Sequence, residues 1–179
     1  MNRLHTRTAT AAVAVLALLA LAAPAHAEEV IVNDGADASA SLTDIRKVRV
    51  AHGDNQLAVR VNFPDLRKQA NAGLSIFIDK NAERRGPEFG LGAPLFSGGD
   101  YTLLRMKRWQ FTGQRVECDY NLELKWKKDV LILTADRGCF GNAEELRVGM
   151  KMTDNADGSH PITDWMTGRR EFTTWLAAG

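Results

Sequence analysis

The sequence predicts an all-β chain, an antiparallel β-sandwich of the jelly-roll or immunoglobulin-like kind carrying one intradomain disulfide. Three observations predict it. Apolar residues recur with period two in successive stretches, as in strands that bury one face. Clusters of Gly, Asn, Asp and Pro separate those stretches at intervals of about 8–14 residues, the spacing of a sandwich or barrel. The chain holds two cysteines, Cys118 and Cys139, and no long helical period.

Residues 1–27 read as an export signal. Arg3, His5 and Arg7 form a cationic start, and residues 9–23 are almost wholly Ala, Val and Leu. Pro24 breaks that helix, and Ala25-His26-Ala27 places small residues at the −3 and −1 positions of a cleavage site. The apolar run is shorter than the about 20 residues a bilayer span needs; an uncleaved anchor is the alternative. Residues 28–179 are then expected to form a single secreted, monomeric domain, with no membrane attachment after cleavage. Of the 23 Lys and Arg the leader takes Arg3 and Arg7, which leaves the remainder one positive charge short of its 22 Asp and Glu. That balance gives no overall field for nucleic acid or an anionic membrane.

The first clear strands are 48–52 and 56–63. Val48, Val50 and His52 alternate in one, and Leu57, Val59, Val61 and Phe63 in the other, around a Gly53-Asp54-Asn55 turn. The pairing sets Val50 opposite Val59, Val48 opposite Val61 and His52, a strand-end residue, opposite Leu57. Pro64 ends the second strand by removing a ladder donor. Residues 74–79 form an apolar run buried on both faces. Residues 80–99, rich in Gly, Pro and charge, read as a long loop, and 101–106 resumes β composition.

Val116, Cys118, Tyr120, Leu122, Leu124 and Trp126 hold one parity, and Leu131, Leu133 and Ala135 hold the other. A two-residue turn at Lys128-Asp129 sets Trp126 opposite Leu131, Leu124 opposite Leu133, Leu122 opposite Ala135 and Cys118 opposite Cys139. Opposed Cβ atoms lie about 4.5–5.5 Å apart, close to disulfide reach, and an exported chain meets an oxidising compartment. A Cys118–Cys139 bond follows. Lys-Asp is a weak turn pair beside Asn-Gly, so a one-residue slip or a bulge near Gly138 is the alternative. Beyond it, 146–152 is a half-buried strand, Asp154 to His160 is a polar turn, and 171–176 is a short closing strand anchored by Phe172 and Trp175.

Several of these segments carry a likeness. Leu74-Ser75-Ile76-Phe77-Ile78-Asp79 with Gly86-Pro87-Glu88-Phe89, then Arg137-Gly138-Cys139-Phe140-Gly141, and Asp164-Trp165 with Gly168-Arg169-Arg170, resemble a group of small secreted β-sandwich proteins commonest in high-GC Gram-positive bacteria. The wider architecture is similar to DOMON-type and carbohydrate-binding-module sandwiches. The resemblance implies sugar binding and, in some members, a structural calcium, and assigns neither to particular positions.

Candidate chemistry is sparse. Thr153-Asp154-Asn155-Ala156-Asp157-Gly158 with Asp164 partly matches a calcium loop, which makes Asn155, Asp157 and Asp164 candidate ligands, although Thr153 stands where such loops start with Asp. The competing reading is an ordinary turn. Asp79, Asn81 and Glu83 are a second oxygen-donor run, without a Gly. Arg105, Lys107 and Trp109 interleave cation and aromatic as a ligand-stacking surface would, whereas Trp126 shares the core parity. No G-x-S-x-G elbow or H-E-x-x-H pair is present, and Gly158-Ser159-His160 is no triad on sequence alone. Zinc is disfavoured, because neither His52 nor His160 stands at ligand spacing from a cysteine. The expectation is a non-catalytic secreted module without a cofactor, binding a glycan or another small ligand. An extracellular protein-interaction or inhibitor domain is the alternative, and a hydrolase ranks third.

Overall fold

The computed structural model describes residues 27–179; the leader assigned to residues 1–27 lies, Ala27 apart, outside the described residues. In chain order the strands are β1 (Glu28–Asn33), β2 (Lys47–His52), β3 (Gln56–Asn62), β4 (Ala72–Asp79), β5 (Phe89–Pro94) and β6 (Thr102–Lys107). They continue as β7 (Gln110–Arg115), β8 (Tyr120–Lys125), β9 (Val130–Asp136), β10 (Glu145–Asp154), β11 (Ile162–Trp165) and β12 (Leu176–Ala177). Two antiparallel sheets result. The first runs β1-β2-β3-β9-β8 and the second β11-β10-β4-β5-β6-β7, with β12 pairing separately to β10. Among the described residues no helix is long and apolar enough to cross a membrane.

The core follows from the period-two pattern. Val48, Val50, Leu57, Val59, Val61, Leu131 and Leu133 face inward from the first sheet. Leu74, Ile76, Ile78, Leu91, Leu103, Val148, Met150 and Met152 meet them from the second. All are essentially buried, and burial of each such side chain is worth about 1.5–3 kcal/mol before the cost of ordering the chain. The β2–β3 register is the expected one: Val50 faces Val59, Val48 faces Val61 and His52 faces Leu57.

The β8–β9 hairpin is displaced from its expected register. Leu124 faces Leu131, Leu122 faces Leu133 and Tyr120 faces Ala135, a slip of two residues. The turn is not Lys128-Asp129 alone. A 3-10 turn at Trp126–Lys128 precedes Asp129, which takes the left-handed conformation at φ 52°. Asp129 is held there by the Phe63 and Leu66 amides, which donate to its carbonyl and Oδ1. An even slip keeps every side chain on its face, so the core parity survives. Trp126, expected in the core, sits in the 3-10 turn and is only half-buried. The disulfide forms by another route. The strand ladder stops before residue 118, and a second 3-10 turn, Arg137–Phe140, returns Cys139 to Cys118 with a Cα–Cα distance of 5.4 Å.

Other strands lie where the sequence showed none. β5 occupies part of the supposed loop 80–99. Its glycines conceal it in the sequence, yet Gly90 is required: a Cβ there would stand 2.4 Å from Met106 Sδ and 2.7 Å from the Phe111 ring. β1 and β11 were also unmarked. The closing strand expected at 171–176 is reduced to β12, and Phe172 and Trp175 leave the core to cover Arg147, whose guanidinium carbon lies 4.7 and 4.5 Å from their ring centres.

Candidate functional site

The second sheet turns an aromatic surface outward. On β4, Ser75 and Phe77 alternate with the core residues Leu74, Ile76 and Ile78. On β10, Lys151 points outward between Met150 and Met152, and on β11 Trp165 stands opposite Lys151. β6 and β7 are joined by a tight turn at Arg108 and Trp109, both at positive φ (51° and 68°), which returns the Trp109 indole over β4. Trp109 then packs edge-on against Phe77 at 5.3 Å, against Trp165 at 6.0 Å and, more nearly parallel, against Phe172 at 5.1 Å. Phe77 and Trp165 stack at 5.8 Å. Such pairs add about 0.5–1.5 kcal/mol each beyond their buried area.

Glycine makes room for these rings. Gly86, at φ +83°, would place a Cβ 2.6 Å from Trp109 Cδ1, and Gly149 a Cβ 3.1 Å from the Phe172 ring. Phe77 is buried beneath the cluster, whereas Trp109 and Trp165 are half-exposed and Phe111 is 42% exposed.

A cleft of about 520 Å³ opens over this surface, walled by Phe77, Trp109, Trp165, Lys151, Arg169 and Arg170. Ser75 and Thr163 add hydroxyls to its lining, which holds no acid among the described residues. Among the described residues none of the three cations forms an ion pair. Arg170 holds its guanidinium 5.7 Å from the Trp109 ring centre. The cleft therefore offers aromatic faces for apolar CH surfaces, hydroxyls for hydrogen bonding, and uncompensated positive charge.

Of the cation–aromatic trio, Trp109 enters this cleft and its companions do not. Arg105 lies over Phe89 at 4.8 Å, and Lys107 borders a separate hollow beside Arg84, Gly86 and Glu88. Trp165, Lys151, Arg169 and Arg170 were missed as site residues. Their convergence depends on β11, a four-residue strand in which Ile162 and Trp165 fall on opposite parities and no apolar alternation marks it, and on the β10–β11 register.

The calcium-loop residues also part company. Asp157 accepts from both the amide and the hydroxyl of Ser159 and lies 3.3 Å from His160 Nδ1; the Ser159 hydroxyl holds its carboxyl below the usual carboxylate range. This exposed trio is a self-contained turn, with the Ser159 hydroxyl directed at the carboxylate. Asn155 exchanges hydrogen bonds with Asn71. Asp164 instead points into the sandwich, where its Oδ2 accepts the Ile45 amide at 2.7 Å. In the second donor run, Asp79 pairs with Arg147 at 2.6 Å and takes the Asn81 amide, and Asn81 takes the Glu83 amide. Those oxygens serve consecutive turns.

Asp164 has other neighbours. Carboxylate oxygens of Asp34, Asp37 and Asp164 lie within 4.8 Å of one another, at the start of the connection between β1 and β2. The Asp34-Gly35-Ala36-Asp37 spelling reads as a turn, and its third partner is remote in sequence, so no local pattern marks the group. No protein-family model matches this chain, and no curated protein does either.

Proposed function

We propose that the chain is an extracellular, non-catalytic binding module whose ligand is an acidic glycan held in the cleft over β4, β10 and β11. The observation that carries this reading is the conjunction, in one cleft, of two half-exposed tryptophans with Lys151, Arg169 and Arg170 and, among the described residues, no acid. Pyranose rings present CH faces that pack on indoles, and uronate carboxylates pair with guanidinium groups through charge-assisted hydrogen bonds. The concave, aromatic form of the site favours a sugar over the flat apolar patch that a protein partner uses, and the likeness to carbohydrate-binding sandwiches points the same way.

The test is affinity electrophoresis of the purified chain in gels containing polygalacturonate, alginate, hyaluronan or neutral glucans. Retardation by at least one acidic polymer is expected, weakening as salt screens the cations. Trp165→Ala should weaken binding about tenfold, which is about 1.4 kcal/mol, and Arg169→Ala should abolish the preference for acidic over neutral polymers. Free migration in every acidic gel refutes the proposal.

A further inference from the structure

The acidic group behind the cleft differs from ordinary surface carboxylates. Asp164 is 2% exposed; its Oδ2 takes the Ile45 amide, while its Oδ1 is closed to solvent and meets no donor among the described residues. Asp34 repeats the pattern, with Oδ1 accepting the Gly35 amide and Oδ2 closed to solvent without a donor among the described residues. Buried carboxylate oxygens without hydrogen bonds are costly, and converging like charges add to that cost. The neighbouring Asp44 is already satisfied: it accepts the Ala38 amide and pairs with Arg46 at 3.1 Å. Arg46 thus offsets Asp44 and leaves Asp34, Asp37 and Asp164 without a counter-charge among the described residues.

We propose that Asp34, Asp37 and Asp164 form a divalent-cation site and that the ion they take is calcium. Oxygens no more than 4.8 Å apart fit on one coordination sphere with metal–oxygen distances of about 2.3–2.6 Å. The donors are all hard oxygens, with no His or Cys among them, which selects against zinc and copper. Three carboxylates, with bidentate binding and water completing the shell, can supply the six to eight oxygens calcium uses. Magnesium holds its waters and prefers fewer carboxylates. Asp37 is exposed and Asp34 half-buried, so the ion has access from solvent.

The position gives the ion a structural task. Asp34 and Asp37 belong to the β1–β2 connection of the first sheet, and Asp164 to β11, an edge strand of the second. Bound calcium joins the two sheets along that edge. The site is independent of the cleft's ligand, because alternation on β11 sends Asp164 inward and Trp165 outward.

The experiment is calorimetric titration of the EDTA-stripped full chain with calcium chloride, paired with thermal melts. One binding event is expected, with a dissociation constant at or below about 1 mM, the range of extracellular modules. The melting midpoint should rise by about 5 °C at saturating calcium. Asp164→Asn removes a buried ligand and is at risk of not folding, so Asp37→Asn and Asp34→Asn are the informative variants. Asp37→Asn should bind calcium at least tenfold more weakly, with a calcium-free melt no lower than that of the parent. Asp34→Asn should melt above the parent in EDTA and below it in calcium. No binding heat and no midpoint shift at about 5 mM calcium, or unchanged affinity in Asp37→Asn, overturns the proposal. None of these readouts depends on a glycan, so the two proposals fail separately.

Discussion

Two buried titratable sites set opposing pH responses. His52 is fully buried, and its Nδ1 lies 2.9 Å from the Leu176 carbonyl. A carbonyl only accepts, so Nδ1 carries the proton, and Nε2 is left without a partner among the described residues. Desolvation lowers the imidazole's pKa below its ordinary 6.5. The unfolded chain therefore takes up this proton first, and the stability associated with neutral His52 is lost as pH falls below about 6.5. Asp34 and Asp164 act in the other direction. Burial first, and then the charge of Asp164, pushes Asp34 up to about 7; burial first, and then Asp37 and Asp44, pushes Asp164 up to about 6. Arg46 faces the same group but is paired with Asp44. For acids raised above 3.8, the contribution is full below that pH and is lost as pH rises through 6 to 7. In calcium-free buffer the melting midpoint should fall from about pH 6 to pH 8, and the fall should be shallower in Asp34→Asn. The His52 ring protons followed by NMR should hold their neutral shifts through about pH 6.5; an ordinary titration there would contradict its burial.

Among the elements, the ones that the sequence conceals are those whose conformation contradicts their composition. The β6–β7 turn places Arg108 and Trp109 at positive φ, where Asn-Gly is the usual choice. A bulky residue there costs about 1–3 kcal/mol, offset by the packing of the indole against Phe77, Trp165 and Phe172. No turn signal marks the pair, so Trp109 was legible as a candidate while its strand register was not. β5 is hidden by Gly90 and Gly92, which fill the positions between the buried Phe89, Leu91 and Ala93; the apolar alternation is there, but glycine stands where a strand-forming side chain would mark it. The β8–β9 pairing shows the converse. Parity was legible through Leu122, Leu124, Leu131 and Leu133, and so was the Cys118–Cys139 bond, worth about 3 kcal/mol in the loop-entropy treatment. Asp129's left-handed φ was not. The turn's dependence on its glycine neighbour is testable. Gly86→Ala introduces a Cβ 2.6 Å from Trp109 at a φ of +83° and should destabilise the fold by about 1–3 kcal/mol in urea unfolding. It should also shift the tryptophan fluorescence. A silent substitution would mean that the indole does not rest there.

At the scale of the molecule, the sandwich is joined along its two long edges by different chemistry. On the β6–β8 side, the Tyr120 hydroxyl accepts the Leu103 amide and Tyr101 donates to Asn121. On the β11 side, the connection between β1 and β2 folds over the second sheet, through Ile45 to Asp164 and through Ser41 to Asp154. Ser41 is buried and also meets the Thr43 hydroxyl at 2.9 Å. Sequence periodicity fixes faces, not which loops cross between sheets, so this seam was not legible from any local pattern. β11 is short, pairs with β10 alone, and carries both Trp165 and Asp164; its stability should therefore depend on the seam more than on its own ladder. Ser41→Ala removes one seam bond and leaves an Asp154 oxygen without its donor, at a cost of about 1–3 kcal/mol. If the seam governs β11, amide exchange should accelerate in Ile162–Trp165 and the 34–46 connection, while the central β3–β9 pair keeps its protection. Uniform acceleration across both sheets would show instead that the molecule opens only as a whole, and that the edge has no separate stability.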